Sequence, residues 1–267
     1  MVSDSATSGA FELIADENLK PVIDSLVTGF NTQTPNAKVT VRYTSSVEAL
    51  DALLSSKARL VIIGRPMTTN ERKLLDSAHI DLPEFDIALN SIAVITSSQN
   101  TPPSVSFDRL RQIVTGKTET PYYSTTHLST TETVFDSIFF LQSKFLLGNL
   151  KRYQTTDSVI SAVRANIASI GFVSSSWARY LRSTGDTTIK ALPINTDKSD
   201  KPVILHPAYL YQGLYPLVSR VCGYTFEVPN SIPRGFLAYV MSPDGQRVLL
   251  NYDVLPRTQI IKLVPPK

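Results

Sequence analysis

Arg65 is the residue best placed to do chemistry. It stands at the middle of the segment Arg59-Leu60-Val61-Ile62-Ile63-Gly64-Arg65-Pro66-Met67-Thr68-Thr69-Asn70-Glu71, just past the end of its apolar run. Leu60 to Ile63 is too continuous an apolar run for a half-exposed strand and predicts a central parallel strand covered on both faces. Gly64 ends that strand. Thr68 with Glu71 three residues on has capping-box spacing and opens a helix whose apolar face is Leu74 and Leu75. Ligand sites of open α/β sheets lie at such strand-to-helix corners, so the Arg65 guanidinium can point at a bound ligand; a solvated or ion-paired arginine is the alternative. Ser129 with Glu132 repeats the capping-box spacing, as a structural cap or a ligand contact.

Residue types for catalysis are present without the arrangement it needs. There is no Gly-x-Ser-x-Gly elbow, no glycine-rich phosphate loop with lysine, and no paired His-Glu helix motif. The sequence therefore predicts no enzyme and no catalytic residue. His79, His127 and His206 are isolated, lack metal-ligand spacing and are expected at the surface, so no metal or cofactor is expected. Cys222, the single cysteine, cannot form an internal disulfide, and Val221 and Tyr224 beside it predict an inert core thiol. Trp177 after three serines reads as core, and Tyr122 and Tyr123 as loop residues able to close over a solute.

The elements that must position these residues alternate. Phe11 to Ala15 reads as a strand. Leu19, Val22, Ile23, Leu26, Val27 and Phe30 fall at helical spacing, with Pro21 in the first turn and Glu17 or Asn18 as the cap. Val39 to Tyr43 alternates as a strand, Thr44-Ser45-Ser46 makes a turn, and Val47, Leu50, Leu53 and Leu54 mark a second helix. After the helix at Thr68 to Ala78 come a strand from Asp86 to Thr96 and a helix from Phe107 to Thr115 stopped by Gly116. Thr118 to Thr131 has no clear period and reads as a loop. A helix follows to about Leu146, then one capped by Asp157 or Thr156 that buries Val159, Ile160, Val163 and Ile167. Ile170 to Val173 and Ile189 to Ile194 read as strands, Thr196 to Pro207 as a surface connection, Ser242 to Tyr252 as a helix and Gln259 to Val264 as a last strand. This βα alternation predicts an α/β fold.

Composition narrows the class. The 267 residues suit one large or two modest domains. Lys and Arg number 26 against 23 Asp and Glu and are dispersed, so no nucleic-acid footprint is visible. No run of about 18 apolar residues predicts a membrane span, and Met1 to Ala10 lack the apolar core of a signal peptide. Residues 1–9 read as a polar leader or vector-derived scar.

Several motifs in order carry a resemblance. Asn18-Leu19-Lys20-Pro21-Val22-Ile23 leading to Phe30 and Pro35, then Tyr43-Thr44-Ser45-Ser46 and Ile63-Gly64-Arg65-Pro66-Met67-Thr68, resemble the opening of the phosphate-binding component of bacterial ABC transporters. Asp86 to Ile95 resembles the family's hinge-crossing strand, and Phe107 to Lys117 its leucine, isoleucine, glycine-lysine helix. Ala168-Ser169-Ile170-Gly171-Phe172-Val173, Tyr215-Pro216-Leu217 and Ser242-Pro243-Asp244-Gly245-Gln246 complete the set. The resemblance implies a two-lobed type II periplasmic binding-protein fold, each lobe a mostly parallel sheet flanked by helices. Residues 10–88 plus 212–267 would form lobe one and 89–211 lobe two, with the solute held between them. It further implies a monomer that binds inorganic phosphate or a related oxyanion and delivers it to the membrane subunits of an ABC transporter. The protein would work in the periplasm or at the outer face of the cytoplasmic membrane, its signal peptide absent from this sequence. The alternative is a divergent scaffold or sensory member of the cell envelope that has lost tight phosphate binding.

Helix N-termini bind oxyanions in such folds without a cationic side chain. The corners expected to do so are Asp16-Glu17-Asn18, Thr44-Ser45-Ser46 and Ser129-Thr130-Thr131, with Gly64-Arg65 as a further contact. By resemblance, Ser129 and Thr131 match the serine and threonine of the family's Ser-Gly-Thr loop, and Ser45 or Ser46 its second-helix serine. Thr130 stands where that loop has glycine, Thr125 where an arginine precedes it, and Gly64 where an aspartate follows the third strand. Arg65 is expected to replace the missing charge. Asp16, Glu17 and Glu132 would each oppose a nearby anion by about 1 kcal/mol or more.

Overall fold

The computed structural model describes residues 4–125, 129–140 and 149–258. In chain order the elements are β1 (Gly9–Asp16), α1 (Lys20–Gln33), β2 (Ala37–Thr44), α2 (Ser46–Leu54), β3 (Val61–Ile63), α3 (Thr69–Ser77) and β4 (Glu84–Ser97). Then come β5 (Val105–Ser106), α4 (Phe107–Val114), β6 (Tyr122–Thr125), α5 (Thr130–Phe135), β7 (Leu150–Tyr153), α6 (Thr156–Ala165), β8 (Ile170–Ser174) and α7 (Ser175–Ser183). The chain closes through β9 (Ile189–Ala191), β10 (Ile194–Asn195), α8 (Pro207–Tyr211), β11 (Val218–Tyr224), α9 (Ile232–Val240) and α10 (Pro243–Asn251). These fall into two compact units. The first holds described residues 4–89, 220–251 and 256–258, and the second holds 90–219 and 252–255.

In the first unit the strand order is β2-β1-β3-β11. β1 runs parallel to β2, from Gly9 opposite Ala37 to Asp16 opposite Thr44, and parallel to β3, with Ile14 opposite Val61. β11 is antiparallel to β3, with Cys222 opposite Ile63. Leu60 to Ile63 are fully buried, as the apolar run requires, but the strand sits between one parallel and one antiparallel neighbour. Ile14, Leu50, Leu53, Val61, Ile63, Met67, Leu75 and Tyr224 pack one face. Across the sheet, the apolar stripe of α1 meets α9, with Phe11 and Phe30 edge-on to Phe236. Cys222 is wholly buried, and burial pushes its thiol up to about 12, so it is the inert core thiol its neighbours predict.

The second unit orders β4-β8-β6-β7, with β9 also on β4. β6, β7 and β8 are parallel, while β4 is antiparallel to β8 and β9. β6 corrects the reading of 118–131 as a loop. Tyr122 and Tyr123 are buried in it, against Phe172 and Tyr153, so they are core rather than a cover for a solute. A strand covered on both faces shows no alternation, and its Ser and Thr disguised it. β7 gives no signal for a different reason: it is four residues long with Lys151 and Arg152 exposed at its centre.

Other differences are local. The first turn after β1 is a 3-10 turn, Glu17–Leu19, capped by Asp16 rather than by Glu17 or Asn18. α6 is capped by Thr155, one residue before the expected pair. Leu74 and Ile167 face solvent. α5 ends at Phe135 and continues as a π-helical turn, Asp136–Phe140; the rest of the helix expected to Leu146, the strand expected at Gln259–Val264, and His127 lie outside the described residues. Gly116 stops α4 with a φ of 73°, a conformation that suits glycine.

The described residues before β1 are fixed by contacts. Asp4 pairs with Arg59, and an added methyl on Gly235, within α9, would lie 1.8 Å from the carbonyl oxygen of Ala6. A helical Gly→Ala change ordinarily stabilises by about 0.5–1 kcal/mol. Here Gly235→Ala is expected to lower the urea midpoint in the full chain and to raise it once residues 1–8 are deleted. A gain in the full chain would mean the N-terminal segment does not pack on α9.

Candidate functional site

At the carboxyl end of the first unit's parallel strands, the Asp16 carboxylate gathers three elements. Its Oδ1 accepts the Asn18 N–H at 3.1 Å, and its Oδ2 accepts the Ser46 hydroxyl at 2.6 Å and the Gly64 N–H at 3.3 Å. Asp16, Asn18, Ser46 and Gly64 are all buried. The end of β1, the first residue of α2 and the residue after β3 therefore converge on one internal negative charge. Backbone N–H groups at a helix start and a strand end favour an anion, and the chain itself supplies that anion.

The neighbouring corner is also internally satisfied. Ser45 and Glu48 form a complete capping box, and Thr44 donates its hydroxyl to the Glu48 carboxylate. The Thr44 hydroxyl, followed by the Ser45 N–H, holds the Glu48 carboxyl below its ordinary range. Glu17 is half-buried in the turn capped by Asp16.

Arg65 is not a ligand-facing clamp. Its side chain is fully buried, and its two terminal nitrogens grip the Glu71 oxygens at 2.7 Å each, with a further bond to the Pro66 carbonyl at 3.0 Å. Glu71 also accepts the Thr68 N–H at 2.6 Å, closing the capping box of α3. Burial raises the Glu71 carboxyl, but the hydrogen bonds from Arg65 and Thr68 and the Arg65 charge outweigh it and hold the group below the usual carboxylate range. The third residue of α3 decides this: the same Glu71 that completes the capping box with Thr68 also pairs with the buried guanidinium.

The second unit builds a different corner. Ser129 caps α5 by accepting the Glu132 N–H, Thr130 and Thr131 are fully buried, and the Glu132 carboxylate pairs with Arg152 of β7. Arg152 lies beside Ser124 of β6 in register. β4 passes the end of β8 antiparallel, with Ile92 opposite Ser174, so Asn90 and Ser91 lie just beyond it; Asn90 Oδ1 accepts the Ser175 hydroxyl at 2.9 Å. Ser174 and Ser176 share a hydrogen bond at 2.8 Å. α5 packs on β6 and β8, which brings its start to the same end of the sheet.

Within this polar corner, four buried side-chain atoms have no hydrogen-bond partner among the described residues: Asn90 Nδ2, Ser91 Oγ, Ser124 Oγ and Thr131 Oγ1. Each such group costs about 1–3 kcal/mol unless water or a ligand oxygen satisfies it. Hydroxyls and an amide can donate to an oxyanion without a net charge. Of these residues, sequence reasoning singled out Thr131. Asn90, Ser91 and Ser124 were missed, although polar residues inside otherwise apolar strands are a usable signal, and Arg152 had none.

Comparison with known proteins comes to the same fold. A family model described as PBP superfamily domain matches residues 2–244. A solved structure from Clostridium perfringens, assigned as a phosphate ABC transporter substrate-binding protein and carrying bound phosphate, superposes with a TM-score of 0.80 at 17% identity, covering 93% of this chain and 100% of that one. An ABC-type phosphate transport receptor from Vibrio cholerae gives 0.66 at 15% identity, over 93% and 100%. The CcmR regulatory domain from Synechocystis, in complex with 2-PG, gives 0.61 at 16% identity, over 88% and 96%. No curated protein sequence matches the chain. At these identities the likeness is one of fold, an α/β architecture of mixed sheets flanked by helices, as in type II periplasmic binding proteins.

Two outcomes test the corners. Asp16→Asn keeps one acceptor where three donors converge and turns an amide N–H₂ toward Ser46 or Gly64; it is expected to cost about 2 kcal/mol in urea unfolding. Arg65→Ala is expected to cost about 3–5 kcal/mol and leave oxyanion affinity unchanged, because it breaks a buried pair. With a folded Glu71 pKa below the unfolded value of about 4.3, the pair's stabilisation is complete above that value and lost as pH falls through the folded one. Glu71→Gln should remove this part of the acid limb. Weakened oxyanion binding in Arg65→Ala at an unchanged urea midpoint would return Arg65 to the ligand.

Proposed function

The chain belongs to the PBP superfamily domain family, and from that membership we propose that it is the solute-binding protein of an ABC importer and captures an inorganic oxyanion, phosphate first among candidates. Its two compact units serve as the family's two lobes. Its chemistry is hydrogen bonding without bond making, and its partners are the oxyanion and the transporter's membrane subunits, at the periplasmic or outer face of the cytoplasmic membrane.

The observation that carries this reading is the set of buried donors at Asn90, Ser91, Ser124 and Thr131 that find no partner among the described residues. Uncharged donors gathered near the carboxyl ends of β6 and β8 suit a desolvated anion, and a site built to hydrogen-bond a ligand is costly to leave unfilled. Ser129, Thr130 and Thr131 keep their proposed place at the ligand. Asp16, Ser46 and Gly64 take a scaffolding role within the first unit, because their polar groups already meet one another. Support for phosphate over other oxyanions comes from the structures assigned to phosphate transport.

A second reading is favoured by one observation, the buried Arg65–Glu71 pair, which engages the cation expected to replace the arginine that the family carries where Thr125 stands. On that reading the protein is an envelope scaffold or sensor that no longer binds phosphate tightly. Calorimetric titration of ligand-stripped protein with phosphate, sulfate, molybdate and small organic acids separates the two: heat with an oxyanion at micromolar concentration supports capture, and none with any of them supports the sensor or scaffold.

Thr131→Val sharpens the test. It replaces a buried unpartnered hydroxyl by a methyl, so the ligand-free protein should be as stable or more stable by up to about 1 kcal/mol, while phosphate affinity falls by about tenfold or more. Lower stability with undiminished phosphate affinity would remove Thr131 from the site.

A further inference from the structure

The second unit contains a cavity remote in chemistry from the hydroxyl corner. Its volume is about 340 Å³, within the range of roughly 300–1,000 Å³ common for small-molecule sites. Ile95 of β4, Leu181 of α7, Ile189 of β9, and Leu192, Ile204 and Leu205 of the following connections form its apolar walls. Five of these six are buried, and Ile204 stands at the rim, 39% exposed.

Two cations complete the lining, Arg182 and Lys190. They are not equivalent. Arg182 is neutralised by the Asp253 carboxylate. Lys190 donates to the main-chain carbonyl of Asn100, and among the described residues no carboxylate lies within ion-pair distance of it. An ammonium beside apolar walls and without a counter-ion seeks one from outside. Water held against such walls finds few hydrogen-bond partners, and an apolar body that displaces it gains free energy.

The geometry points to a second binding site, for a small amphipathic monocarboxylate whose hydrocarbon body fills the cavity and whose carboxylate pairs with Lys190. A single uncompensated ammonium matches one negative charge. A dianion such as hydrogen phosphate has no apolar body to fill the cavity and would carry a second charge into apolar walls, so this site is separate from oxyanion capture.

Octanoate is the probe, and Trp177, the chain's single tryptophan, is the reporter, one residue before Ala178 of the cavity lining. Titration of the full chain should give a saturable change in tryptophan fluorescence. Lys190→Met should weaken octanoate binding at least about tenfold, Lys190→Arg should retain most of it, and 1-octanol should bind equally to the wild type and Lys190→Met. Phosphate-induced thermal stabilisation should be the same in all three proteins, which keeps this test apart from that of the oxyanion site. Absence of a saturable octanoate response, or equal octanoate affinity in Lys190→Met, overturns the proposal. So does octanoate binding that appears only after residues 259–267 are deleted, which gives the cavity to the chain's own end, or octanoate that acts by dissociating a dimer in sedimentation, which gives it to a second copy.

Discussion

The first unit is organised around one buried carboxylate. Asp16 ends β1, and its two oxygens receive the Asn18 N–H, the Ser46 hydroxyl and the Gly64 N–H. Each of these donors belongs to a different element, and each lies where a strand ends or a helix begins. Without an acceptor, donors at such points would be left unsatisfied in a buried place, at about 1–3 kcal/mol each. A carboxylate satisfies all three and is itself stabilised by charge-assisted bonds. The corner that a parallel sheet offers to a ligand is thus converted here into a fixed joint, and β1, α2 and β3 are held in register by a group only a few atoms in size.

The second unit resolves the same geometrical problem the other way. Its strand ends also gather hydroxyls and an amide, yet Asn90 Nδ2, Ser91 Oγ, Ser124 Oγ and Thr131 Oγ1 meet no acceptor among the described residues. Its one acid at the corner, Glu132, is directed to Arg152 across the neighbouring strand. The ion pair removes two charges from consideration, so neutral donors remain. The contrast is between a joint that is closed and a corner whose donors are left open, and it follows from local hydrogen-bond accounting in each unit taken separately.

Much of this was legible in the sequence, and the exceptions have common physical causes. The burial of the Leu60 to Ile63 run, the capping box of Thr68 and Glu71, the cap at Ser129 and the stop at Gly116 depend on the local sequence and agree with it, whereas the antiparallel neighbour of β3 comes from a strand far along the chain. β6 is not legible because burial on both faces erases the period of two, and its serine and threonine have the composition of a loop. Asp16 was read as an acid that opposes an anion, since its partners Ser46 and Gly64 are 30 and 48 residues away. Arg152 pairs with Glu132 from 20 residues further on, through strand order that no short-range pattern encodes. The fold was written in local signals, and the site in which polar group met which.

Arg65 shows why a charged residue at a strand end is weak evidence for a ligand. A guanidinium that is wholly buried must be paired, because the desolvation of an isolated charge amounts to several kcal/mol. A carboxylate fixed in a capping box is an undemanding partner: Glu71 holds the Thr68 N–H as well as the guanidinium, so one ordering of its side chain serves both bonds. The same economy holds at the first unit's corner, where Lys20 beside the Asp16-capped turn is already paired with Asp24. Where N–H groups, hydroxyls and an internal carboxylate already balance, a free arginine beside Asp16 would draw that carboxylate away from Ser46 and Gly64 and loosen the joint. The second unit's corner carries its polarity differently: the Asn90 amide and the hydroxyls of Ser91, Ser124 and Thr131 are neutral, buried and without a partner among the described residues, so any selectivity there rests on how many donors converge and how well they are desolvated rather than on a single positive charge.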